Sequence, residues 1–204
     1  MTTTAEPTTR VPLDAAGRAT LFTEARTANT FSDQPVSDEE LADIWELARW
    51  APTSANVQPL RLVYVRTPEG KERLVPHMND NNRAKAAAAP AVAILAADLD
   101  FHEQIHRTFP ARPQLKEAFA DPERRHEAAR FNAILQAGYF LLAVRAVGLV
   151  AGPMLGFDAA GLDAEFFSDT SLRTVLVVNI GHPGENPWFE RLPRLDHDEV
   201  ISWA

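Results

Sequence analysis

The chain has no cysteine, which excludes disulfides, thiolate zinc sites and cysteine-ligated iron–sulfur clusters. Its nine glycines form no G-x-G-x-x-G, so a Rossmann dinucleotide fingerprint is absent. Gly70-Lys71 is followed by Glu72 and lacks the upstream glycine of a P-loop. No serine sits in a G-x-S-x-G elbow. Positive charge is in deficit: 20 Lys+Arg against 28 Asp+Glu give a net charge of -8. That is the wrong sign for a general nucleic-acid binder, whose phosphate contacts need a basic face. No apolar run is long enough to span a bilayer, and Met1–Pro7 has neither the basic start nor the apolar stretch of a secretory signal. The expectation is a cytoplasmic protein with no membrane and no nucleic-acid partner.

What is present is an ordinary globular composition, 46% hydrophobic and 24% charged over 204 residues, enough for one domain with a sizeable core. Residues 1–12 are Thr- and Pro-rich and read as a loose leader, with a single domain over 13–204 and no internal repeat. A helix is expected from Asp14 to Ala25. Ser37-Asp38-Glu39-Glu40 is a capping box opening a helix with Leu41, Ile44, Trp45, Leu47 and Ala48 at helical spacing. Thr67-Pro68-Glu69-Gly70-Lys71 turns into a short helix. Leu60–Val65, Ala91–Ala97 and Thr174–Ile180 read as strands, the second apolar on both faces. The stretch 101–122, broken by Pro110, Pro113 and Pro122, reads as an irregular, lid-like excursion. The longest helix is expected over Glu123–Val147, with Gly148 as its C-cap. Phe131, Ile134, Leu135, Phe140, Leu141, Leu142 and Val144 nearly surround it, so it is expected to be buried or to lie at a subunit interface.

Between the second helix and the first strand lies Ala51-Pro52-Thr53-Ser54-Ala55-Asn56-Val57-Gln58-Pro59. Each proline locks φ and removes a donor, so the polar groups between them sit on stiff backbone. Thr53, Ser54, Asn56 and Gln58 supply donors and acceptors without charge and without a nucleophile–base pair. That chemistry suits the rim of a polar heterocycle; the alternative is an ordinary helix-to-strand loop. His102-Glu103-Gln104-Ile105-His106 matches the zincin pattern, but at most a short helix fits before Pro110, and prolines separate Glu117 and Glu123 from it. A zinc hydrolase on His102, Glu103 and His106 stands against a polar, partly exposed lid helix. His182, after Gly181, is a ligand contact or a surface histidine. The remaining polar signals are dispersed: Arg26, Thr27 and Asn29; Asn82 and Lys85; the turn Gly152-Pro153-Met154-Leu155-Gly156; Arg191 and Arg194. Two or three arginines could clamp a phosphate, a lysine could hold a developing anion, and glycines would let backbone N–H groups approach a flat ring. Singly, each is a solvated charge or a turn residue.

In this order and spacing the set resembles the flavin-dependent nitroreductase superfamily, from about Leu21 to Ile201. The segments that carry the resemblance best are Ala51–Pro59 and Gly152-Pro153-Met154-Leu155-Gly156-Phe157-Asp158. Phe22–Asn29, Asp163-Ala164-Glu165-Phe166-Phe167 and Arg191-Leu192-Pro193-Arg194-Leu195 look most like the malonic semialdehyde reductase branch. The resemblance implies an α+β fold, with a central, mainly antiparallel sheet wrapped by helices, and an intertwined homodimer with two FMN sites at its interface. It implies phosphate and ribityl contacts at Arg26 and Thr27, although Ala25 stands where the family usually has its arginine. Asn29 stands where many members carry a basic residue. Thr53, Ser54 and Asn56 match a loop that approaches FMN from the partner subunit. Asn82 and Lys85 match a pair at the ring edge, with Lys85 acting electrostatically. Pro153, Met154, Leu155 and Gly156 match the segment whose backbone donors face the ring, and Arg191 and Arg194 the C-terminal phosphate contacts. The implied activity is a ping-pong cycle in which NADPH or NADH reduces FMN and a small electron-poor acceptor is then reduced: a malonic semialdehyde-type aldehyde, nitroaromatic, quinone or enone. A flavin-binding store or sensor with little turnover is the alternative.

Overall fold

A computed structural model describes residues 11–204; of the leader expected over 1–12, all but Val11 and Pro12 lies outside the described residues. Helices α1 (Ala15–Arg18), α2 (Asp38–Ala48), α3 (Pro68–Leu74), α4 (Asp80–Ala88), α5 (Ile105–Thr108), α6 (Pro122–Ala146), α7 (Ala159–Phe166) and α8 (His197–Val200) surround four strands, β1 (Leu60–Val65), β2 (Ala91–Asp98), β3 (Val150–Met154) and β4 (Leu172–Gly181). The sheet order is β1-β2-β4-β3 and every pairing is antiparallel. No helix among the described residues is long and apolar enough to cross a membrane.

Strand alternation sorts the core into two layers. On β2, Ala91, Ala93, Leu95 and Ala97 face a cluster built with Leu41, Ile44 and Ala48 of α2 and Ala133, Ala137, Phe140 and Val144 of α6. Val92, Ile94 and Ala96 face the opposite cluster, with Leu74, Met78, Ala86, Leu162 and Phe167. Helices therefore cover both faces of the sheet, and β2 is apolar from Ala91 to Ala97 because neither of its faces meets water. The capping box forms: Ser37 Oγ accepts from Glu40 N–H, and the Glu40 carboxylate accepts from Ser37 N–H at 2.8 Å. The hydrogen bonds that the carboxylate accepts from Ser37 N–H and from the Ser37 hydroxyl hold the Glu40 carboxyl below its ordinary pKa.

Three expectations need correction. The first helix is an α-helical turn followed by a π-helical turn at Ala19–Thr23, so it ends short of Ala25. Gly152, Pro153 and Met154 are not a turn: they belong to β3. The proline is tolerated because β3 is an edge strand, where no neighbour needs its missing N–H. Finally, of the two alternatives for α6, burial all round does not hold, while a subunit interface stays open. Ala129, Asn132, Ala133, Gln136, Ala137 and Phe140 are inside, while Phe131, Ile134, Leu135 and Tyr139 form an exposed stripe, Phe131 at 65%. Gly148 has φ 84 and follows the helix, as a C-cap glycine should.

At the other edge, a cavity of about 540 Å³ opens between α2 and β1, lined by Leu41, Trp45, Leu60, Leu62 and Tyr64. The Tyr64 hydroxyl donates to Leu41 O at 3.3 Å, and burial pushes its pKa up to about 12.

Candidate functional site

The segment 25–29 reaches the site by lying against β3. Ala28 N–H donates to Ala151 O, and Asn29 N–H to Pro187 O at 3.0 Å. Close approach explains Gly152: a Cβ there would stand 3.2 Å from Ala28 O. The chain after β4 returns beside this segment, and the two enclose a cavity of about 280 Å³ between Arg26, Thr27, Asn29, Phe189, Arg191 and Arg194. Its guanidinium groups are oriented by backbone carbonyls. Arg26 donates to Phe189 O (3.3 Å), Arg191 to Thr23 O (2.7 Å), and Arg194 to Leu192 O (2.9 Å). No ion pair among the described residues engages any of the three. Three like charges around one small cavity repel one another, so the arrangement favours an anion with several oxygens, such as a phosphate.

Arg145 went unnoticed in the sequence. It lies behind this cavity, in a smaller one of about 210 Å³ that shares Ala25 and Arg26 with it. Its guanidinium donates to Leu21 O at 2.8 Å, and burial lowers its pKa from the ordinary value. A terminal arginine on an apolar helix is the only sequence signal it gives.

The second half of the site is uncharged apart from one lysine. Asn82 and Lys85, three apart on α4, share a helix face. Lys85 Nζ donates to Asn29 Oδ1 at 2.8 Å, which joins α4 to the arginine cavity. Asn82 Nδ2 donates to Gly156 O at 3.0 Å, which joins α4 to the loop after β3. Gly156 is fixed by this approach, since a Cβ would lie 2.7 Å from Asn82 Nδ2. No hydrogen bond among the described residues uses the N–H of Leu155 or Gly156. Of the four residues expected here, Pro153 and Leu155 are exposed and Gly156 is half-buried. Met154 is a core residue whose sulfur accepts from Asn179 Nδ2, which leaves only its backbone for a ligand.

Thr53, Ser54 and Asn56 lie elsewhere. Their loop precedes β1, at the sheet edge opposite β3, and no hydrogen bond among the described residues joins it to the first group. Two buried amides on α6 hold its backbone: Asn132 Oδ1 accepts from Ser54 N–H (2.8 Å) and Gln136 Oε1 from Leu60 N–H (3.0 Å). Asn56 Nδ2 donates to Thr108 O at 2.7 Å. Ala55 (φ 49), Asn56 (φ 54) and Gln58 (φ 45) occupy the left-handed region, a cost of about 1 kcal/mol or more each. Three such residues in four persist because the clamps from α6 impose the shape. Ser54 and Asn56 are exposed.

The His102–His106 segment is not one helix. Phe101–Gln104 is a 3-10 turn and α5 begins at Ile105, with Phe101 and Ile105 buried. His106 Nδ1 lies 2.9 Å from Glu103 O, and Lys116 engages the Glu103 carboxylate at 2.5 Å, holding its pKa below the ordinary value. Among the described residues no group of three His, Cys, Asp or Glu side chains is placed to hold a metal. His182 Nε2 stands 3.4 Å from Glu40 Oε1, away from the cavity residues.

Residues 23–182 match the profile of the Nitroreductase family. A Streptomyces coelicolor protein with the provisional name NADH dehydrogenase/NAD(P)H nitroreductase is 57% identical over 97% of this chain and 98% of its own. An Exiguobacterium sibiricum protein of provisional nitroreductase name, solved in complex with FMN, superposes with a TM-score of 0.82 at 20% identity, over 97% of this chain and 100% of its own. A Staphylococcus epidermidis protein provisionally named an NAD(P)H:FMN oxidoreductase superposes with a TM-score of 0.80 at 21% identity, over 95% and 98%.

Proposed function

The chain belongs to the nitroreductase family, and on that premise we propose that it is an FMN-dependent oxidoreductase that draws electrons from NADPH or NADH. The observation that carries this reading is one continuous surface with a cation cluster at one end and a polar rim at the other. Arg26, Arg191 and Arg194 surround a cavity and lack carboxylate partners among the described residues; Lys85 and Asn29 link it to Asn82 and Gly156. That donor set fits FMN: arginines for the phosphate, Thr27 beside them, and Lys85, Asn82 and the free Leu155 and Gly156 N–H groups for the polar edge of the ring. When bound, FMN supplies the hydride chemistry. The residues of this chain hold it, place a positive charge at Lys85 near the ring edge, and leave one face open for NAD(P)H and acceptor in turn.

The homodimer belongs to the same proposal. Thr53, Ser54 and Asn56 precede β1, at the sheet edge opposite β3, and none of them lines the arginine cavity. Ser54 is bonded to Asn132 on α6, the helix that exposes Phe131, Ile134, Leu135 and Tyr139, and apolar patches of that kind rarely stay in water. Pairing two copies through α6 would cover the stripe and carry each loop to the other copy's flavin. The uncovered groove along β1 and the exposed Leu192, Leu195, Val200 and Trp203 of the tail support an intertwined arrangement. The acceptor proposed is small and electron-poor, of malonic semialdehyde, nitroaromatic, quinone or enone type; the Asp163–Phe167 and Arg191–Leu195 segments favour the aldehyde.

The test is direct. Purified protein should bind FMN at one per protomer. NAD(P)H oxidation should then depend on added acceptor, with parallel double-reciprocal lines. FMN binding without acceptor-dependent turnover would instead indicate a flavin store, and no binding of FMN would refute the assignment.

A further inference from the structure

The C-terminal end of α4 cannot cap itself. Ala86, Ala87, Ala88 and Ala89 carry no polar side chains, and Pro90 brings no N–H. Orphan carbonyls at a helix end need donors from somewhere. Here they come from α3: Lys71 Nζ donates to Ala86 O at 2.9 Å, to Ala87 O at 3.1 Å, and to Ala89 O. An ammonium has three protons, and all three are engaged on this one helix end. The charge also meets the negative end of the helix dipole. The platform beneath it is stiff, because Thr67 caps α3, Pro68 opens it and Leu74 is fully buried.

We propose that Lys71 is a positioning residue, which by clamping the last turn of α4 sets where Lys85 stands in the cofactor site without itself touching the cofactor. The inference rests on the FMN reading above. Its selectivity follows from spacing. Lys85 lies within one turn of the clamped carbonyls, and its own carbonyl accepts from Ala89 N–H at 3.0 Å. Asn82 lies one turn further back. There Asn82 N–H and Arg83 N–H donate to Asn79 O, and Arg83 Nε donates to Met78 O at 2.9 Å. Loss of the Lys71 charge should therefore fray the turn that carries Lys85 and spare the turn that carries Asn82. Lys71 is half-buried, and desolvation lowers its pKa from the ordinary value; the helix-end carbonyls act in the opposite direction, favouring the charged form.

A double-mutant cycle tests this. Lys71→Met, Lys85→Ala and the double variant are compared for the midpoint potential of bound FMN, for FMN affinity, and for amide exchange of residues 80–89 in the FMN-free protein. Lys71→Met should lower the site's preference for reduced over oxidised FMN about two- to fivefold, the range that follows from loss of a typical helix-end cation, and by no more than Lys85→Ala does. The double variant should match Lys85→Ala alone, and Lys71→Arg should restore most of the wild-type value. Exchange in Lys71→Met should accelerate over residues 85–89 and not over 80–83. An unchanged potential in Lys71→Met, or a shift that adds to that of Lys85→Ala, would overturn the inference while leaving the FMN assignment intact. Wild-type protein that binds no FMN would overturn the assignment itself, whereas unaltered exchange at 85–89 would overturn the clamp alone. If Lys71→Met does not fold, Lys71→Gln removes the charge with a milder change and takes its place in the cycle.

Discussion

On the proposed pairing through α6, replacing Phe131 by aspartate should separate the protomers without unfolding them. Phe131 is 65% exposed on α6, so its loss opens no cavity in the core. A phenylalanine offers about 200 Å², of which about 130 Å² would leave water in a dimer paired through α6. At about 25 cal/mol per Å² that is about 3 kcal/mol per copy. A two-fold interface contains the residue twice, so the loss approaches about 6 kcal/mol before the desolvation of a buried carboxylate is added. Partial exposure of the replaced site in the dimer trims this to about 4–6 kcal/mol, a rise in dimer Kd of about 10³–10⁴. Sedimentation velocity at micromolar concentration should show a monomer with native circular dichroism, and its FMN content should fall, since the Thr53–Asn56 loop no longer reaches a partner's site. A Phe131→Asp protein that stays dimeric and keeps its FMN would refute the pairing through α6. A wild-type monomer that holds FMN tightly would refute the shared site altogether.

Three further outcomes are expected. Lys85→Ala should keep the fold and lower the FMN midpoint potential by roughly 20–65 mV, equivalent to about 1–3 kcal/mol of charge-assisted stabilisation; a redox titration with no shift would mean that the lysine does not face the ring. Asn132→Ala removes the acceptor for Ser54 N–H and should cost about 1–2 kcal/mol in urea unfolding, with weaker FMN retention because the strained loop is no longer held; FMN binding as tight as wild type would separate the loop from the site. Tyr64, raised to about 12, binds its proton more tightly when folded. Its contribution is therefore complete below pH 10 and lost as pH rises through about 12. Partial exposure limits it to about 1–2 kcal/mol, read as a steeper fall in stability above pH 10 that Tyr64→Phe abolishes.

Where local chemistry decided the structure, the sequence was readable. Ser37 and Glu40 cap α2 because the box needs only four consecutive residues, and β1, β2 and β4 follow from short apolar runs that a helix could not use. β3 was misread because Gly152-Pro153 has the composition of a turn, and only the neighbouring strand reveals that Pro153 sits on an edge. The two faces of α6 look alike in sequence; a monomer's core claims Phe140 and leaves Phe131 in water, and no periodicity distinguishes the two. The clamps at Asn132 and Gln136, the rear arginine at Arg145 and the Lys71 contact all join residues many positions apart, so no local pattern marks them. The gathering of Arg26, Asn29, Lys85, Asn82, Arg191 and Arg194 was accessible only through resemblance, since three separate segments supply them.

The two ends of the sheet differ in a way that bears on how the protein reaches its working form in a cell. β3 is shielded: Pro153 lacks an N–H, and Ala28 N–H pairs with Ala151 O. Among the described residues β1 has no such cover, and its outer edge runs beside the groove of Trp45 and Leu62. A newly made chain therefore carries a sticky margin from the moment its sheet closes until that margin is covered. Dilute chains would spend longer in that condition and crowded ones less, but crowding also brings wrong partners. Recovery from denaturant should consequently pass through an optimum in protein concentration, with yields limited by slow assembly below it and by precipitation above it.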